Sequence, residues 1–219
     1  MTARYTLVIG TKNWSSWSLR PYLALRAIGV PFEEELIALR RDSTAPEVKR
    51  RSPSARVPLL RIEENGANYL VWDSLAICET LAERHPAQEL WPVDPIARAT
   101  ARAYAAEMHA GFPDLRDQLP MDFARRLALP ELREKTQEQI ARVIEAWTKA
   151  REQYGSLGPF LFGAFSIADC MYAPVVSRFV TYGVSLPAMA QAYAERVYAL
   201  PSMQDWGAGA KREVEAGLA

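Results

Sequence analysis

The spacing of hydrophobic positions predicts strands only in the first part of the chain. Residues 5–10 (YTLVIG) are rich in side chains that favour strands, and residues 32–37 place alternate side chains on opposite faces. Residues 57–62 and 69–72 predict two further strands, which an ENG turn joins into a hairpin. These four segments indicate one small sheet.

Two helices are predicted among these strands. Residues 15–29 (SSWSLRPYLALRAIG) have helical spacing, Gly29 is a stop signal, and Pro21 is expected in the first turn, where its missing N–H costs little. Residues 73–85 (DSLAICETLAERH) predict an amphipathic helix that its opening aspartate or serine caps. The basic stretch between the second and third strands is predicted to be irregular. This order of elements indicates an α/β domain.

A proline-rich segment separates this α/β region from a helical one. The segment HPAQELWPVDP, residues 85–95, holds three prolines in eleven residues, which is typical of a linker. Hydrophobic residues then recur at helical spacing in four segments, which are 96–119, 131–154, 166–180 and 187–200. The segment 166–180 is the most apolar and predicts a buried central helix. We therefore expect an α/β domain over residues 1–86 and an all-helical domain over 95–219.

Composition and charge exclude several classes of protein. The chain has 219 residues and a formal net charge of zero, so no overall field attracts nucleic acid or an anionic membrane. It has no apolar run long enough to span a bilayer, and its first residues lack the layout of a signal peptide. Cys78 and Cys170 each lie in an apolar run, which predicts buried thiols in a cytoplasmic protein and supports neither a disulfide nor a zinc site.

Known catalytic motifs are absent from the sequence. There is no GxSxG, no glycine-rich phosphate loop and no HExxH, and His85 and His109 are the only histidines. A dithiol oxidoreductase is disfavoured because the turn after the first strand carries SSWS rather than CxxC. No metal is therefore expected.

Three short segments carry polar groups where a ligand could bind. In SSWS, Ser15 and Ser16 fit helix caps as well as catalytic hydroxyls. In RVP, a proline that enters a strand indicates a bend, often with a cis bond, and would leave the backbone N–H and C=O of Val57 available to an extended peptide. In DSLAI, Asp73 and Ser74 fit a helix cap, and the N–H groups at that helix end also suit a carboxylate.

A fourth segment, SIAD, is interpreted as structural. Ser166 and Asp169 match the capping pattern S/T-x-x-D at the start of the apolar helix. We expect Asp169 to matter for folding rather than catalysis, because loss of such a cap costs about 1 kcal/mol.

These segments occur in the order seen in the glutathione transferase family, and the chain most resembles its zeta class and related bacterial enzymes. The segments SSWS, RVP, DSLAI, LWPVDPIARA and SIAD are jointly specific, and the resemblance covers essentially the whole chain. It implies a thioredoxin-like N-terminal domain, an all-helical C-terminal domain that contributes the electrophile site, and a homodimer. Glutathione is the implied co-substrate.

The resemblance also assigns roles to individual residues. Ser15 takes the place of the zeta-class catalytic serine, and Ser16 that of its neighbour. Val57 takes the place of the residue whose main chain pairs with the cysteinyl part of glutathione. Asp73 and Ser74 match the pair that holds the γ-glutamyl end.

A serine hydroxyl suits this chemistry as a hydrogen-bond donor rather than as a base. A hydrogen bond to a charged group is worth about 1.5–3 kcal/mol, which lowers the pKa of a thiol that titrates at about 8.5 by about one to two. The helix N-terminus acts in the same direction. Ser15 is the first candidate donor and Ser16 the second. Arg56 or Arg40 could attract the glycyl carboxylate.

Departures from the zeta pattern bear on the substrate. Trp17 stands where the zeta isomerases of maleylacetoacetate have a cysteine, and Arg178 lies at a different distance from the preceding proline than the arginine of their corresponding helix. These differences weigh against isomerase activity. Trp14, Trp17, His109 and Phe112 are candidates for an electrophile pocket, and equally for plain packing.

We therefore predict a cytoplasmic glutathione transferase, active in detoxification, that conjugates the glutathione thiolate to a small electrophile. One alternative is a zeta-type cis–trans isomerase resembling maleylacetoacetate isomerase. Another is a protein that binds glutathione without activating its thiol. The expected partners are glutathione, a small electrophile and a second copy of the chain, not nucleic acid or a membrane.

Overall fold

A four-stranded mixed sheet is built from the first part of the chain. The computed structural model describes residues 3–219. The strands are β1 (Arg4–Gly10), β2 (Phe32–Ile37), β3 (Leu59–Glu64) and β4 (Ala67–Trp72), in the sheet order β2–β1–β3–β4. β1 pairs parallel with β2 and antiparallel with β3, and β3 pairs antiparallel with β4. The predicted thioredoxin-like α/β arrangement is confirmed.

Helices accompany the sheet and make up the rest of the chain. Those among the strands are α1 (Ser16–Ile28), α2 (Thr44–Arg51) and α3 (Ser74–Arg84). Those that follow are α4 (Pro95–Ala110), α5 (Pro113–Gln118), α6 (Glu134–Tyr154), α7 (Ile167–Tyr182), α8 (Ala188–Tyr198) and α9 (Pro201–Glu215). The predicted helical second part is thus confirmed. Within residues 3–219, no helix combines the length and apolarity needed to cross a bilayer.

Two helices depart from the sequence prediction. α2 lies in the basic stretch predicted to be irregular, and Val48 is its only buried residue, so the segment carries no periodic hydrophobic signal. α9 follows the last predicted helix and begins with Pro201 in its first turn. A proline after a helical pattern predicts the end of that helix, but a proline is also tolerated as the first residue of a new one.

Prolines and a glycine shift three further boundaries. Pro21 is the sixth residue of α1 rather than part of its first turn, so it removes one helical hydrogen bond. The hairpin strand predicted from residue 57 begins at Leu59, after the cis Val57–Pro58 bond. The helix predicted over 96–119 breaks at Gly111 into α4 and α5.

The central helix α7 joins the two parts of the fold. Fifteen of its sixteen residues are buried, which confirms the predicted buried helix. It packs against α1 from the sheet region and against α4 and α8. One hydrophobic core therefore runs from the sheet to the helical bundle.

The start of α7 is held by a buried carboxylate. Asp169 is fully buried, and its carboxylate accepts hydrogen bonds from the Ser166 N–H at 2.8 Å and the Ser166 hydroxyl at 3.0 Å, which confirms the predicted capping box. It also accepts from the Leu161 N–H at 3.1 Å and the Tyr193 hydroxyl at 3.0 Å. Burial raises the pKa of Asp169 to about 6, against these hydrogen bonds, which lower it.

Both cysteines are buried and free, as predicted. Burial raises the pKa of Cys78 to about 12 and that of Cys170 well above its ordinary value. Because the thiolate is the reactive form, neither thiol is a nucleophile at neutral pH.

Candidate functional site

A cavity of about 560 Å³ lies between the edge of the sheet and the end of α4. Its walls come from the start of α1, the loop before β3, the end of β4, the start of α3 and the end of α4. The lining residues are Trp17, Ser54, Arg56, Val57, Pro58, Trp72, Asp73, Ser74 and His109. The fold thus brings five predicted site residues together, which are Trp17, Val57, Asp73, Ser74 and His109.

The N-terminus of α3 presents both a carboxylate and a hydroxyl group to the cavity. Asp73 is the N-cap residue, and its Oδ1 accepts a hydrogen bond from the Leu75 N–H at 2.9 Å. Its φ of +71° is rare for a residue other than glycine, and such conformations cluster at functional sites. Ser74 is buried, and its hydroxyl has no hydrogen-bond partner among residues 3–219. A carboxylate and an unpartnered hydroxyl therefore lie side by side at a helix N-terminus.

His109 connects α4 to the same end of α3. Its Nε2 lies 3.3 Å from Asp73 Oδ2, and its ring meets the Trp17 ring edge-on with centroids 5.2 Å apart. Burial lowers the pKa of His109, with the nearby Arg20 and Arg116 adding to this, while Asp73 raises it. The imidazole is therefore neutral at neutral pH.

The opposite wall of the cavity is formed by Val57, Pro58 and the cationic residue Arg56. The Val57–Pro58 peptide bond is cis, as predicted, and both residues line the cavity. Arg56 lines it as well, whereas the Arg40 guanidinium stacks over the Trp14 ring at 4.2 Å. Of the two arginines considered for a ligand carboxylate, Arg56 is the one at the cavity.

In the serine turn, residues 15–18 (SSWS), Trp17 lines the cavity, whereas the hydroxyls of Ser15 and Ser16 are hydrogen-bonded to other side chains of the protein. Ser15 is the N-cap residue of α1, but its side chain makes no capping hydrogen bond, and its Oγ lies 2.7 Å from Ser18 Oγ. Ser16 Oγ accepts from Arg178 Nη2 at 3.2 Å. Ser15 and Ser16 are both buried, and neither is among the residues that line the cavity.

Two other predicted pocket residues lie outside the cavity lining. Phe112 is buried in the hydrophobic core, where its φ of +60° marks the break between α4 and α5. Trp14 packs under Arg40. For these two aromatic residues, the structure favours packing, the second of the two interpretations.

The loop before the serine turn is fixed by the helical region. Asn13 is fully buried, and its backbone N–H donates to Glu213 Oε2 at 3.1 Å. Its side chain donates to Asp122 Oδ1 at 2.8 Å and accepts from the Ala124 N–H at 2.8 Å. Its carbonyl accepts from the Phe123 N–H at 3.1 Å. These partners follow Asn13 by more than 100 residues, so no local pattern could have predicted them.

Three arginines surround the turn. The Arg20 guanidinium lies 4.2 Å from the centre of the Trp17 ring, and that of Arg116 lies 5.4 Å from it. Arg178 donates to Ser16 and also to the carbonyls of Leu119 at 2.8 Å and Pro174 at 3.1 Å. Burial lowers the pKa of Arg178 to about 10, which leaves it charged at neutral pH. The turn therefore lies in positive potential.

Sequence reasoning missed Trp72 and Ser54 in the cavity wall. Trp72 ends β4 immediately before Asp73, and 45% of its surface is exposed. An exposed aromatic residue next to a candidate site is a signal that could have identified it. Among residues 3–219, no group of three or more His, Cys, Asp or Glu side chains is arranged to hold a metal ion.

Known proteins are similar to this chain in sequence and in fold. The chain is 35% identical over 100 residues to a probable maleylacetoacetate isomerase of Caenorhabditis elegans, a match that covers 46% of this chain and 44% of that protein. It is 28% identical over 181 residues to the maleylacetoacetate isomerase of Pseudomonas aeruginosa, which covers 81% and 82%. A glutathione transferase homolog from Burkholderia (strain BGR1), solved with bound glutathione, superposes with a TM-score of 0.70 at 26% identity, over 95% of this chain and 99% of that one.

Family models match both parts of the chain. The glutathione S-transferase N-terminal domain matches residues 14–84, and the glutathione S-transferase C-terminal domain matches residues 130–206. The first match contains the serine turn, the cis-proline and the start of α3. The second contains α6, α7 and α8. The chain belongs to the glutathione S-transferase family, a family of enzymes.

Proposed function

We propose that the cavity binds glutathione and that the chain conjugates the glutathione thiolate to a small electrophile, as in detoxification. The observation that carries this proposal is the N-terminus of α3, where the Asp73 carboxylate lies beside the unpartnered Ser74 hydroxyl. The γ-glutamyl end of glutathione carries an ammonium and a carboxylate on one carbon, which is the complementary pair. Family membership and the glutathione-bound Burkholderia structure support the same ligand.

The polar groups of the cavity match those of glutathione in one orientation of the peptide. The ammonium pairs with Asp73, and its neighbouring carboxylate binds the Ser74 hydroxyl and the N–H groups of the helix end. The cysteinyl backbone pairs with Val57, and the glycyl carboxylate is attracted by Arg56. The sulfur then lies towards Trp17 and the serine turn behind it.

Ser15 is the first candidate donor to the sulfur, and Ser16 is the second. The Ser15 hydroxyl shares a hydrogen bond with Ser18, and rotation about one side-chain bond would free it. Ser16 already accepts from Arg178, so its own proton is available to donate. Trp17 and His109 form the part of the cavity wall that an electrophile would contact.

Isomerisation of a maleyl-type diketo acid is the second candidate function. Two observations favour it: relatives of this chain are named maleylacetoacetate isomerases, and Arg178 lies against Ser16, where its charge could attract a carboxylate. Trp17 in the place of a cysteine weighs against it. Conjugation is therefore the primary proposal.

One pair of assays separates the two reactions. The protein is incubated with glutathione and either an activated aryl halide or a maleyl-type diketo acid, and free thiol is measured over time. Conjugation consumes thiol in step with thioether formation, whereas isomerisation changes the diketo acid without net loss of thiol. Absence of both reactions, with glutathione still bound, would favour the non-catalytic alternative.

Replacing Asp73 with asparagine is expected to raise the KM for glutathione about tenfold, with little change in kcat. Asparagine keeps the helix cap and tolerates the positive φ, but it loses the charge that pairs with the ammonium. A tenfold change corresponds to about 1.4 kcal/mol, a modest value that suits a half-exposed pair. Steady-state kinetics with varied glutathione measure it.

Asp94→Asn is the matched control. Asp94 caps α4 through hydrogen bonds from the Ile96 and Ala97 N–H groups, and it lies outside the cavity lining. Its KM for glutathione should equal that of the wild type. Equal KM values in Asp73→Asn and the wild type would contradict the assigned role of Asp73.

We also propose a cytoplasmic homodimer. Large apolar side chains are exposed on β4, on the linker and at the start of α4, which are Tyr69, Leu70, Val93 and Ile96. Exposed apolar side chains of this kind are what a subunit interface would cover. Light scattering should give twice the mass of one chain, and a single-chain mass at micromolar concentration would contradict the proposal.

The proposed location in the cytoplasm is supported by the two free buried thiols, which fit a reducing compartment.

A further inference from the structure

Arg20 is a buried cation without an acidic partner. Only 1% of its surface is exposed, and its Nε and Nη1 atoms have no hydrogen-bond partner among residues 3–219. Burial, with a smaller effect of the nearby Arg178 and Arg116, lowers the pKa of Arg20 to about 9, while Cys78 and Asp73 act weakly in the opposite direction. Arg20 therefore still carries its charge at neutral pH, next to other cations.

Such an arrangement does not stabilise a fold. A buried charge is tolerated when hydrogen bonds or an opposite charge compensate for lost hydration, and apolar replacements of buried ionic groups are often neutral or stabilising. Arg178 is equally buried but donates to three oxygen atoms, so packing and hydrogen bonding explain it. Arg20 stacks on Trp17 but has no side-chain hydrogen bond or ion pair among residues 3–219 to replace its lost hydration, and unsatisfied groups of this kind are enriched where they serve a function.

The position of Arg20 indicates what that function is. Arg20 is the fifth residue of α1, so its charge adds to the partial positive charge at the N-terminus of that helix. Its guanidinium stacks on Trp17 at 4.2 Å, and Trp17 lines the cavity. Arg20 thus lies behind the part of the wall towards which the glutathione sulfur is directed.

We propose that Arg20 stabilises the thiolate of bound glutathione through its electric field, without contacting the sulfur. This inference rests on the proposed function. A unit charge about 8 Å from a thiolate, at an effective dielectric constant of about 20, lowers the pKa of the thiol by roughly one to two. The burial of Arg20 protects this field from screening by water and salt.

Three variants separate the charge from the packing of the side chain. In Arg20→Met, the pKa of the bound thiol should rise by about one, and kcat/KM should fall about tenfold at a pH below that pKa. Arg20→Lys keeps a cationic group whose pKa burial lowers, so it should restore part of both values, and more of them as the pH falls. Arg26→Met is the control on the same helix, because Arg26 is exposed and paired with Asp205 at 2.6 Å. It should leave the thiol pKa unchanged.

Stability provides a second, independent readout. Arg20→Met should have a Tm equal to or above that of the wild type, because it removes an uncompensated buried charge. Arg178→Met should have a lower Tm, because it leaves buried carbonyl groups without their donor. A fall in the Tm of Arg20→Met as large as that of Arg178→Met, or failure of Arg20→Met to fold, would show that Arg20 serves packing and would overturn the inference.

The titration distinguishes this inference from the proposed function. If glutathione bound to the wild type titrates like free glutathione, the proposed function fails. If the wild type lowers the thiol pKa and Arg20→Met lowers it equally, the role of Arg20 alone fails.

Discussion

Replacing Ser15 with alanine is expected to lower kcat/KM for conjugation about 10- to 100-fold, while the free energy of unfolding changes by less than about 1 kcal/mol. The loss follows from one hydrogen bond to a thiolate, worth about 1.5–3 kcal/mol. The small effect on stability follows from the structure, because the Ser15 side chain makes no capping hydrogen bond and its hydroxyl is hydrogen-bonded to the Ser18 hydroxyl. Steady-state kinetics and urea denaturation measure the two quantities.

Ser16→Ala identifies which hydroxyl acts. With Ser15 as the donor, Ser16→Ala should retain most activity and lose some stability, because Arg178 loses an acceptor. Near-normal turnover in Ser15→Ala together with an inactive Ser16→Ala would move the role one residue along the chain. Normal turnover in both variants would end the hypothesis that a serine hydroxyl activates the thiol.

Replacing Asp169 with alanine is expected to destabilise the fold by about 3–5 kcal/mol. Its carboxylate accepts hydrogen bonds from Ser166, Leu161 and Tyr193 in a fully buried site, and alanine would leave these donors unpaired. The expected loss exceeds the value of about 1 kcal/mol for an ordinary cap because the structure adds two partners from outside the capping box. Urea denaturation followed by circular dichroism measures the change.

Asp94→Ala is the matched control for this effect. Asp94 caps α4 at an exposed position, so its loss should cost about 1 kcal/mol. If Asp169→Ala loses no more stability than Asp94→Ala, the network around Asp169 does not hold α7 as argued. The glutathione affinity of folded Asp169→Ala should remain near that of the wild type, since Asp169 lies outside the cavity lining.

The sequence predicts the elements that carry a strong hydrophobic pattern. α3 and α6 alternate between core and solvent, β1 and α7 are apolar almost throughout, and the structure confirms all four. α2 has only one buried residue, so its eight residues show no hydrophobic periodicity from which a helix could be predicted. A proline can end one helix or begin the next, so the sequence does not predict α9, which begins with Pro201. A proline can also be tolerated inside a helix, and Pro21 lies deeper in α1 than expected.

The candidate site divides in the same way. Val57, Asp73 and Ser74 sit in short motifs whose geometry is local, a cis bond and a helix cap, and these geometries are confirmed. The Ser16 hydroxyl is bonded to Arg178, which is more than 150 residues away, so local sequence could not predict that contact, whereas the partner of Ser15 is the nearby Ser18. Local sequence likewise could not predict the hydrogen bonds around Asn13 or the contact between His109 and Asp73, because each joins distant parts of the chain.

The pKa of the glutathione thiol in the wild-type complex shows whether this protein activates glutathione. The thiolate absorbs in the ultraviolet whereas the thiol does not, so a pH titration of the difference spectrum at saturating glutathione gives the pKa in the complex. We expect a value about one to two below that of free glutathione, because a serine hydroxyl, the N-terminus of α1 and Arg20 all favour the thiolate. A bound thiol that titrates like free glutathione would contradict it.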